Sequence, residues 1–171
     1  KMSNGDFLVY ADAGCTLKLK GTKHLRRYLT LLDKSEHDIL SFQTYFIEKD
    51  WTKGDLAHYF GVDMDDPIMN SGQILATALI IKKSPESVRF VDKWLEIAFT
   101  NHHHFIDDTP SILPNATSFK EHRHDQSIFS LLIKTEGGNN LDDEVQHKTR
   151  TPKGTRDKKN PFPISGARKK S

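Results

Sequence analysis

The segment with the highest density of chemically capable side chains runs from residue 121 to residue 132. It reads EHRHDQSIFSLL, so that six polar residues are followed directly by an apolar run. This change in composition predicts a helix that carries the polar residues at its N-terminal end. Such a density of polar groups in front of an apolar run is typical of a site presented on a rigid element. The structural interpretation is that Asp125 is the N-cap of the helix.

A second candidate is Asp12, which follows the short apolar segment Phe7–Ala11. That segment predicts a fully buried strand, and ligands in open α/β sheets bind beyond the carboxyl ends of strands. Asp12 can therefore hold a divalent cation and, through it, phosphate oxygens. The structural interpretation is that Asp12 caps the next turn while Gly14 supplies a positive φ. Both interpretations stay open on the sequence.

A third polar segment directly precedes another apolar run. Asn70, Ser71, Gly72 and Gln73 lead into ILATALIIKK, which predicts a buried strand. A polar turn before a strand is ordinary. The same residues can also offer amide groups and glycine backbone to the hydroxyls of a sugar.

Length and composition limit the classes of protein to which the chain can belong. Its 171 residues predict one domain, residues 1–138, and a basic tail with proline and glycine, residues 139–171. The single cysteine, Cys15, excludes an intrachain disulfide. No apolar run reaches the roughly 18 residues of a membrane span. The net charge of +2 gives no argument for nucleic acid.

The remaining segments alternate between helix and strand patterns, which predicts an α/β fold with a mainly parallel sheet flanked by helices. Helices are expected within residues 20–35 and 52–60, the second with Thr52 as N-cap. A strand is expected near residues 39–42. The clearest helix is SPESVRFVDKWLEIAFT, with Ser84 as N-cap. Its predicted apolar stripe consists of Val88, Val91, Leu95 and Ala98, with Trp94 beside it.

Four segments, taken in order, resemble one family of enzymes. LVYADAGC, WTKGDLAHYF, SGQILATALIIKKSPESVRFVDKWL and EHRHDQSIFSLL are similar to nucleotide-sugar glycosyltransferases of the GT-A fold, of the bacterial polysaccharide and large algal virus type. The resemblance runs from about Gly5 to about Gly137, and HRHDQSIFSLL is its most specific part. NPFP and Arg168 near the end are a weaker match. The resemblance implies transfer of a sugar from a nucleotide-diphosphate donor to a glycan or another hydroxyl acceptor.

The resemblance also implies roles for single residues. Asp12 corresponds to the first acid of the family's Asp-x-Asp element, which holds Mn²⁺ or Mg²⁺ and the sugar diphosphate. Gly14 stands in place of the second acid, which is a departure from the family pattern. Catalytic roles in acceptor binding or proton transfer fall to His124, Asp125 and Gln126. The residues expected to bind substrate are Asn70, Ser71, Gly72, Gln73, His122 and Arg123. Asp12 and Asp125 are expected on opposite sides of one crevice.

In this family the Asp-x-Asp strand follows the units that bind the nucleotide, whereas here it starts at residue 7. We therefore expect an N-terminally truncated glycosyltransferase, which binds nucleotide sugars poorly and exposes a sheet edge. Its expected partners are the donor, a glycan acceptor and either the missing half or another copy of the chain. The expected location is cytoplasmic, free or peripheral to a membrane.

Three alternatives belong to other classes of protein. The first is a domain that keeps the fold but serves only for protein interaction. The second is a nucleic-acid-binding module built on the basic tail after Gln146, although Phe162 alone offers a ring for stacking there and no specific nucleic-acid partner is expected. The third is a zinc- or iron-dependent hydrolase. Its candidate ligands are His102, His103, His104, His122, His124, Asp107, Asp108 and Asp125.

Overall fold

The computed structural model describes residues 1–145 and 162–166. The α/β class is confirmed, with a mixed, mostly antiparallel sheet flanked by helices. The helices are α1 (Thr22–Asp33), α2 (Gly54–Tyr59), α3 (Pro85–Phe99) and α4 (His124–Glu136). The strands are β1 (Phe7–Ala11), β2 (Thr16–Leu17), β3 (Ile39–Ile47), β4 (Gly72–Ile74), β5 (Ala78–Lys82), β6 (Asn139–Asp142) and β7 (Ile164–Ser165). Short 3₁₀ turns cover Leu19–Gly21, Glu48–Asp50 and Thr100–His103.

The main sheet has the strand order β1-β5-β3-β4, and β6 also pairs with β3. Strand β5 runs antiparallel to β1 and to β3, while β6 runs parallel to β3. The predicted mainly parallel sheet is therefore wrong. The reason is the position of β5: β1 and β3, joined through α1, do run in the same direction, but β5 lies between them. A strand–helix–strand pattern predicts that its two strands run in the same direction. It does not predict that a strand from later in the chain is inserted between them.

The chain divides into two compact units. The first contains residues 1–43, 77–87 and the described part of 138–171, and the second contains 44–76 and 88–137. Strand β3 contributes its first five residues to the first unit and its last four to the second. Part of the predicted tail is ordered, because it supplies β6 and β7, and β7 pairs with β2. Residues 146–161 and Arg168 lie outside the described residues.

The core of the first unit forms where α1 covers the sheet. Tyr28 and Leu32, four residues apart on α1, are fully buried, as are Leu40 and Ile80 on β3 and β5. The rings of Tyr28 and Phe42 meet edge to face with their centroids 5.6 Å apart. The helix predicted within residues 20–35 is therefore confirmed, and it buries Tyr28 and Leu32 against the sheet.

The core of the second unit is built on α4, in which every residue from 127 to 133 is buried. Such burial on all sides is typical of a central helix rather than an amphipathic surface helix. Phe129 on α4 packs against Phe90 and Trp94 of α3, with ring centroids 6.0 Å and 4.7 Å away. None of the helices within the described ranges has the length and apolar character that a membrane span requires.

Strand β1 has the predicted bounds, but it is not buried. Leu8, Val9 and Tyr10 are all exposed. Strand β1 stands at one end of the strand order and pairs only with β5 among the described strands. The apolar composition of a short strand indicates a strand, but it does not indicate what covers its faces.

Two helix starts differ from the predictions, and one agrees. Lys53, not Thr52, precedes α2, because the Thr52 hydroxyl donates to Glu48 instead. Arg123 precedes α4, so Asp125 lies inside the first turn rather than at the N-cap. Ser84 does cap α3, since its hydroxyl oxygen accepts a hydrogen bond from the Ser87 amide at 3.0 Å.

The predicted apolar stripe of α3 is on the wrong face of the helix. Phe90 and Ile97 are the buried apolar residues, whereas Val88, Val91 and Leu95 are exposed. Helical periodicity shows which side chains share a face, but a helix with two apolar faces does not reveal which one the core takes.

We predict that Ser84→Ala lowers the free energy of unfolding by about 1 to 2 kcal/mol, because it removes the cap and a second hydrogen bond to Asp38 at 2.6 Å. Urea denaturation followed by circular dichroism measures the change. Thr100→Ala at the other end of the helix is the matched control, with an expected loss below about 0.5 kcal/mol. Equal losses in the two variants would contradict the capping role.

Candidate functional site

The candidate residues fall into both units. Asp12 belongs to the first unit, and the segments 70–73 and 122–126 belong to the second. The second unit therefore holds most of the candidates, and hydrogen bonds connect several of them.

A fully buried carboxylate, that of Glu48, lies directly after β3. Its Oε1 accepts hydrogen bonds from the Thr52 hydroxyl at 2.6 Å and from Nε2 of Gln73 at 3.0 Å. Its Oε2 accepts from Nζ of Lys134 at 2.6 Å and from the Ser130 hydroxyl. Burial lowers the pKa of Lys134, and the nearby carboxylate opposes that decrease. The cost of burying the two charges is therefore offset by their mutual attraction and by the hydrogen bonds that the carboxylate accepts.

The Gln73 side chain, also fully buried, connects Glu48 to the start of α4. Its Nε2 donates to Glu48 and, at 3.2 Å, to the hydroxyl oxygen of Ser127. Its Oε1 accepts a hydrogen bond from Nε2 of Gln126 at 2.7 Å. The segments SGQ and HDQ, which the sequence resemblance assigned to one site, are therefore joined by a direct hydrogen bond between Gln73 and Gln126.

The orientation of the two amides follows from their neighbours. The Ser127 hydroxyl donates to the Trp51 carbonyl at 2.8 Å, and the Thr52 hydroxyl donates to Glu48. Both hydroxyls therefore present lone pairs to Gln73, which must turn its NH₂ group toward them and its oxygen toward Gln126. Gln126 must then donate through its own NH₂ group. Among the described residues, the Gln126 Oε1 accepts no hydrogen bond.

The other residues of segment 70–73 form a turn. The Ser71 hydroxyl donates to the Ile68 carbonyl at 2.7 Å. The Asn70 side chain donates to the carbonyls of Asp65 and Asp66 and accepts from Nζ of Lys49. Gly72 begins β4. Asn70 is exposed, whereas Ser71 and Gly72 are half-buried.

His122 lies beneath the polar segment and is buried. Its Nδ1 accepts from the Lys53 amide at 3.3 Å, so its Nε2 carries the hydrogen and donates to the Phe105 carbonyl at 2.8 Å. Burial lowers its pKa to about 4 despite the Phe105 hydrogen bond. His122 is therefore neutral near pH 7 and ties residues 53 and 105 together.

The long loop after α3 is held by two charged residues of the second unit. Nζ of Lys53, a fully buried side chain, donates to the carbonyls of His104, Asp107 and Thr109 at 2.6 to 3.2 Å. Asp55 accepts from His104 and from the amides of Ile112 and Leu113. Although burial acts to raise it, these hydrogen bonds lower the pKa of Asp55 to about 2.

The Arg123 guanidinium stacks on two aromatic rings. Its Cζ lies 4.1 Å from the centroid of Trp51 and 4.9 Å from that of Phe46. Lys120 approaches Trp51 as well, at 5.2 Å. This arrangement fixes the planar guanidinium beside residues 124–126 and places positive charge there.

His124 and Asp125 stand at the surface of the same end of α4. His124 adopts φ = 46°, a conformation that costs energy in a residue with a Cβ, and its Nε2 lies 2.8 Å from Asp108. Asp125 is exposed, and its carbonyl accepts from the Trp94 indole at 3.1 Å. The backbone of Asp125 is thus held in place by Trp94.

Asp12 is exposed at the end of β1, as the sequence predicted. Its carboxylate accepts from the Tyr10 hydroxyl at 2.9 Å, and its carbonyl accepts from the Cys15 amide at 2.8 Å. The predicted turn after Asp12 is therefore present, but Gly14 does not adopt the predicted positive φ, because an ordinary turn closed by the Cys15 amide does not require one. The candidate metal role of Asp12 stays a prediction. Burial, followed by the charge of Asp12, raises the pKa of Cys15.

The residues within the described ranges do not fit a metal ion held by the protein alone. No three histidine, cysteine, aspartate or glutamate side chains there are grouped as ligands. Asp12 offers one carboxylate, and Gly14 offers none. His104, His122 and His124 bind Asp55, Phe105 and Asp108 respectively. The zinc or iron hydrolase alternative therefore gains no ligand set among the described residues.

No protein-family model matches this chain, and neither does a curated protein or a solved structure. The glycosyltransferase resemblance therefore stays a hypothesis that rests on the quoted motifs. The residue roles that it implies also stay predictions.

Sequence reasoning missed four charged residues that support this site: Glu48, Lys53, Asp55 and Lys134. Their only signal in the sequence is a charge within an otherwise apolar or helical segment, such as Lys134 at the end of the run IFSLLIK. That signal does not distinguish a buried ion pair from an ordinary surface charge.

We predict that His122 makes the protein less stable in acid. Because its folded pKa is lowered from 6.5 to about 4, its contribution is present above pH 6.5 and is lost as the pH falls toward 4. The free energy of unfolding should fall by about 2 kcal/mol from pH 7.5 to pH 5. His122→Gln should remove this dependence, and the exposed His102→Gln should keep it. An unchanged pH profile in His122→Gln would contradict the assignment.

We predict that Lys134→Met costs about 3 to 5 kcal/mol of unfolding free energy, because it leaves the Glu48 carboxylate buried without its cation. Adding Glu48→Gln should recover more than half of that loss. Denaturant titration of the two single variants and the double variant gives the coupling energy. Additive losses would show that the two side chains do not act as a pair.

Proposed function

We propose that this chain is a glycosyltransferase domain that binds a hydroxyl-bearing acceptor at the N-terminal end of α4. The observation that carries the proposal is the hydrogen bond between Gln73 and Gln126. It joins two segments that lie 53 residues apart and that the resemblance assigns to the same site. The shared direction of β1 and β3 is in keeping with a GT-A relationship, although the antiparallel β5 between them differs from a doubly wound sheet.

In the proposed reaction the acceptor hydroxyl donates its hydrogen bond to Oε1 of Gln126 or to the neighbouring carboxylate of Asp125. The acceptor oxygen forms a bond to the anomeric carbon of the donor as the bond from that carbon to the diphosphate breaks. In an inverting reaction Asp125 takes the hydroxyl proton. In a retaining reaction Asp125 positions or stabilises the sugar instead, and the hydroxyl proton passes to an oxygen of the leaving diphosphate.

The leaving diphosphate carries negative charge that must be balanced. Arg123 is suited to this task, because stacking on Trp51 and Phe46 restricts its guanidinium before any ligand arrives. Asp12 retains its proposed role at the donor side. Gln73 and His122 are buried, so we assign them to positioning Gln126 and the loop rather than to direct contact with substrate.

An interaction domain without catalysis is the second candidate, and one observation favours it. Apolar side chains are exposed on both β1 and α3, where large side chains are expected to find a partner. This candidate keeps the fold and requires neither Asp125 nor Gln126 for activity.

The deciding experiment is a screen for nucleoside diphosphate release with UDP-, GDP- and dTDP-sugars, with and without Mn²⁺, on the purified 171-residue chain. We expect Asp125→Asn to lower release by about 10²- to 10⁴-fold. Gln126→Leu should lower it by about tenfold or more, because the acceptor loses a hydrogen bond. Asp12→Asn should lower it as well.

Asp63→Asn, an exposed carboxylate outside the candidate segments, is the matched control. Turnover that survives both Asp125→Asn and Gln126→Leu would contradict the proposed site. Absence of release from a chain that is folded by circular dichroism would favour the interaction domain.

A further inference from the structure

Helix α3 has a continuous apolar face that is exposed. Val88, Val91, Leu95 and Phe99 are 42%, 39%, 56% and 61% exposed, and we call these four residues the α3 stripe. Their spacing of three, four and four residues places them along one side of the helix. The α3 stripe is distinct from the buried face, which contains Phe90 and Ile97.

A single exposed leucine or valine needs no explanation, but four aligned side chains on one helix indicate an interaction surface. The helix has 15 residues and is about 22 Å long. Val91, Leu95 and Phe99 form a ridge with a spacing of four residues. Such a ridge packs into the equivalent groove of another helix at a crossing angle of about −50°.

The charges beside the α3 stripe indicate which helix fits. Arg89, Asp92 and Glu96 are exposed and follow one border of the stripe. When two identical helices pack antiparallel about a two-fold axis, each border faces the same border of the other copy. An axis near residues 92–93 places Arg89 opposite Glu96 of the second copy, and the symmetry repeats this pair. The stripe and its border are therefore complementary to themselves in the antiparallel orientation.

We propose that the α3 stripe is a self-association surface on which a second copy of this chain packs its own α3 in the antiparallel orientation. The inference does not depend on the proposed enzymatic function. One helix pair buries less than the roughly 1,200 Å² of a stable interface, so the dimer is weak and reversible. Asp92 faces its equivalent near the two-fold axis, and this like-charge pair weakens the dimer further.

Sedimentation velocity of the full chain over a range of concentrations from about 5 to 500 µM tests the proposal. We expect the average sedimentation coefficient to rise from the monomer to the dimer value. Leu95→Glu should weaken dimerisation by more than about tenfold, because a charge replaces a buried apolar side chain. Ile112→Glu is the matched control, since Ile112 is 88% exposed in the same unit but lies outside the stripe.

Charge exchange tests the identity of the partner. Arg89→Glu and Glu96→Arg should each weaken the dimer, because each places like charges opposite one another. The double variant should restore it, which is the signature of a second copy in this orientation. Asp92→Asn should instead strengthen the dimer. Circular dichroism of each variant confirms that the helices are intact.

A chain that sediments as a monomer throughout the range would overturn the proposal. So would equal effects of Leu95→Glu and Ile112→Glu on the dimer. A dimer that forms but is not restored by the double charge exchange would refute the antiparallel α3 arrangement.

Discussion

The buried carboxylate of Glu48 is the constraint on which the second unit depends. It stands immediately after β3, and its two oxygens together receive hydrogen bonds from the segment before α2, from β4 and from α4. A carboxylate without such partners would cost several kcal/mol to bury. These segments are therefore locked into one mutual arrangement, because movement of any of them would leave part of the charge unpaired. An apolar cluster of similar volume would hold them together without specifying that arrangement.

The loop between α3 and α4 shows the same principle without regular secondary structure. Lys53 donates hydrogen bonds to three carbonyls of this loop, and the Asp55 carboxylate accepts hydrogen bonds from two of its amides and from His104. Backbone groups that pair within a helix or sheet need no such help, whereas those of a loop must find side chains or water. Gly54 between the two charges allows the approach, since a Cβ there would lie 2.4 Å from the carbonyl oxygen of Pro114. The segment 53–55 and the loop 104–113 are thus joined to each other, and the loop is also joined to His122 and His124 at the polar end of α4.

The sequence predicted the bounds of helices and strands better than it predicted their pairing and burial. Local signals mark three elements: the cap residue Ser84 marks α3, the change from polar to apolar residues marks α4, and a short apolar segment marks β1. All three elements have nearly the predicted bounds. The position of β5 between β1 and β3 depends on long-range pairing, for which a pattern of alternating helices and strands has no signal. Val88, Val91 and Leu95 of α3 and the strand β1 are exposed, although the sequence predicted an apolar stripe and a buried strand there, for a similar reason. Hydrophobic periodicity describes a face and is silent on what covers it.

The same distinction applies to the candidate site. Motif resemblance selected Gln73 and Gln126 as members of one site, and their side chains do meet. It gave no reason to include Glu48, which orients the amide of Gln73 and is thereby two hydrogen bonds away from Gln126.

The groups at the N-terminal end of α4 are held in place by different means. The Gln126 amide is oriented by a chain of hydrogen bonds that ends in a buried ion pair, and the Arg123 guanidinium lies over the rings of Trp51 and Phe46. Asp125 is exposed, and its backbone carbonyl accepts a hydrogen bond from Trp94. Groups that bind are useful when they are fixed in advance, because a ligand then loses less free energy in ordering them. A group that moves a proton must instead keep access to its substrate and to water. The second unit combines an amide oriented by hydrogen bonds, a guanidinium packed on two rings and an exposed acidic residue within four consecutive residues, and this combination is the reason for proposing ligand binding at that end of α4.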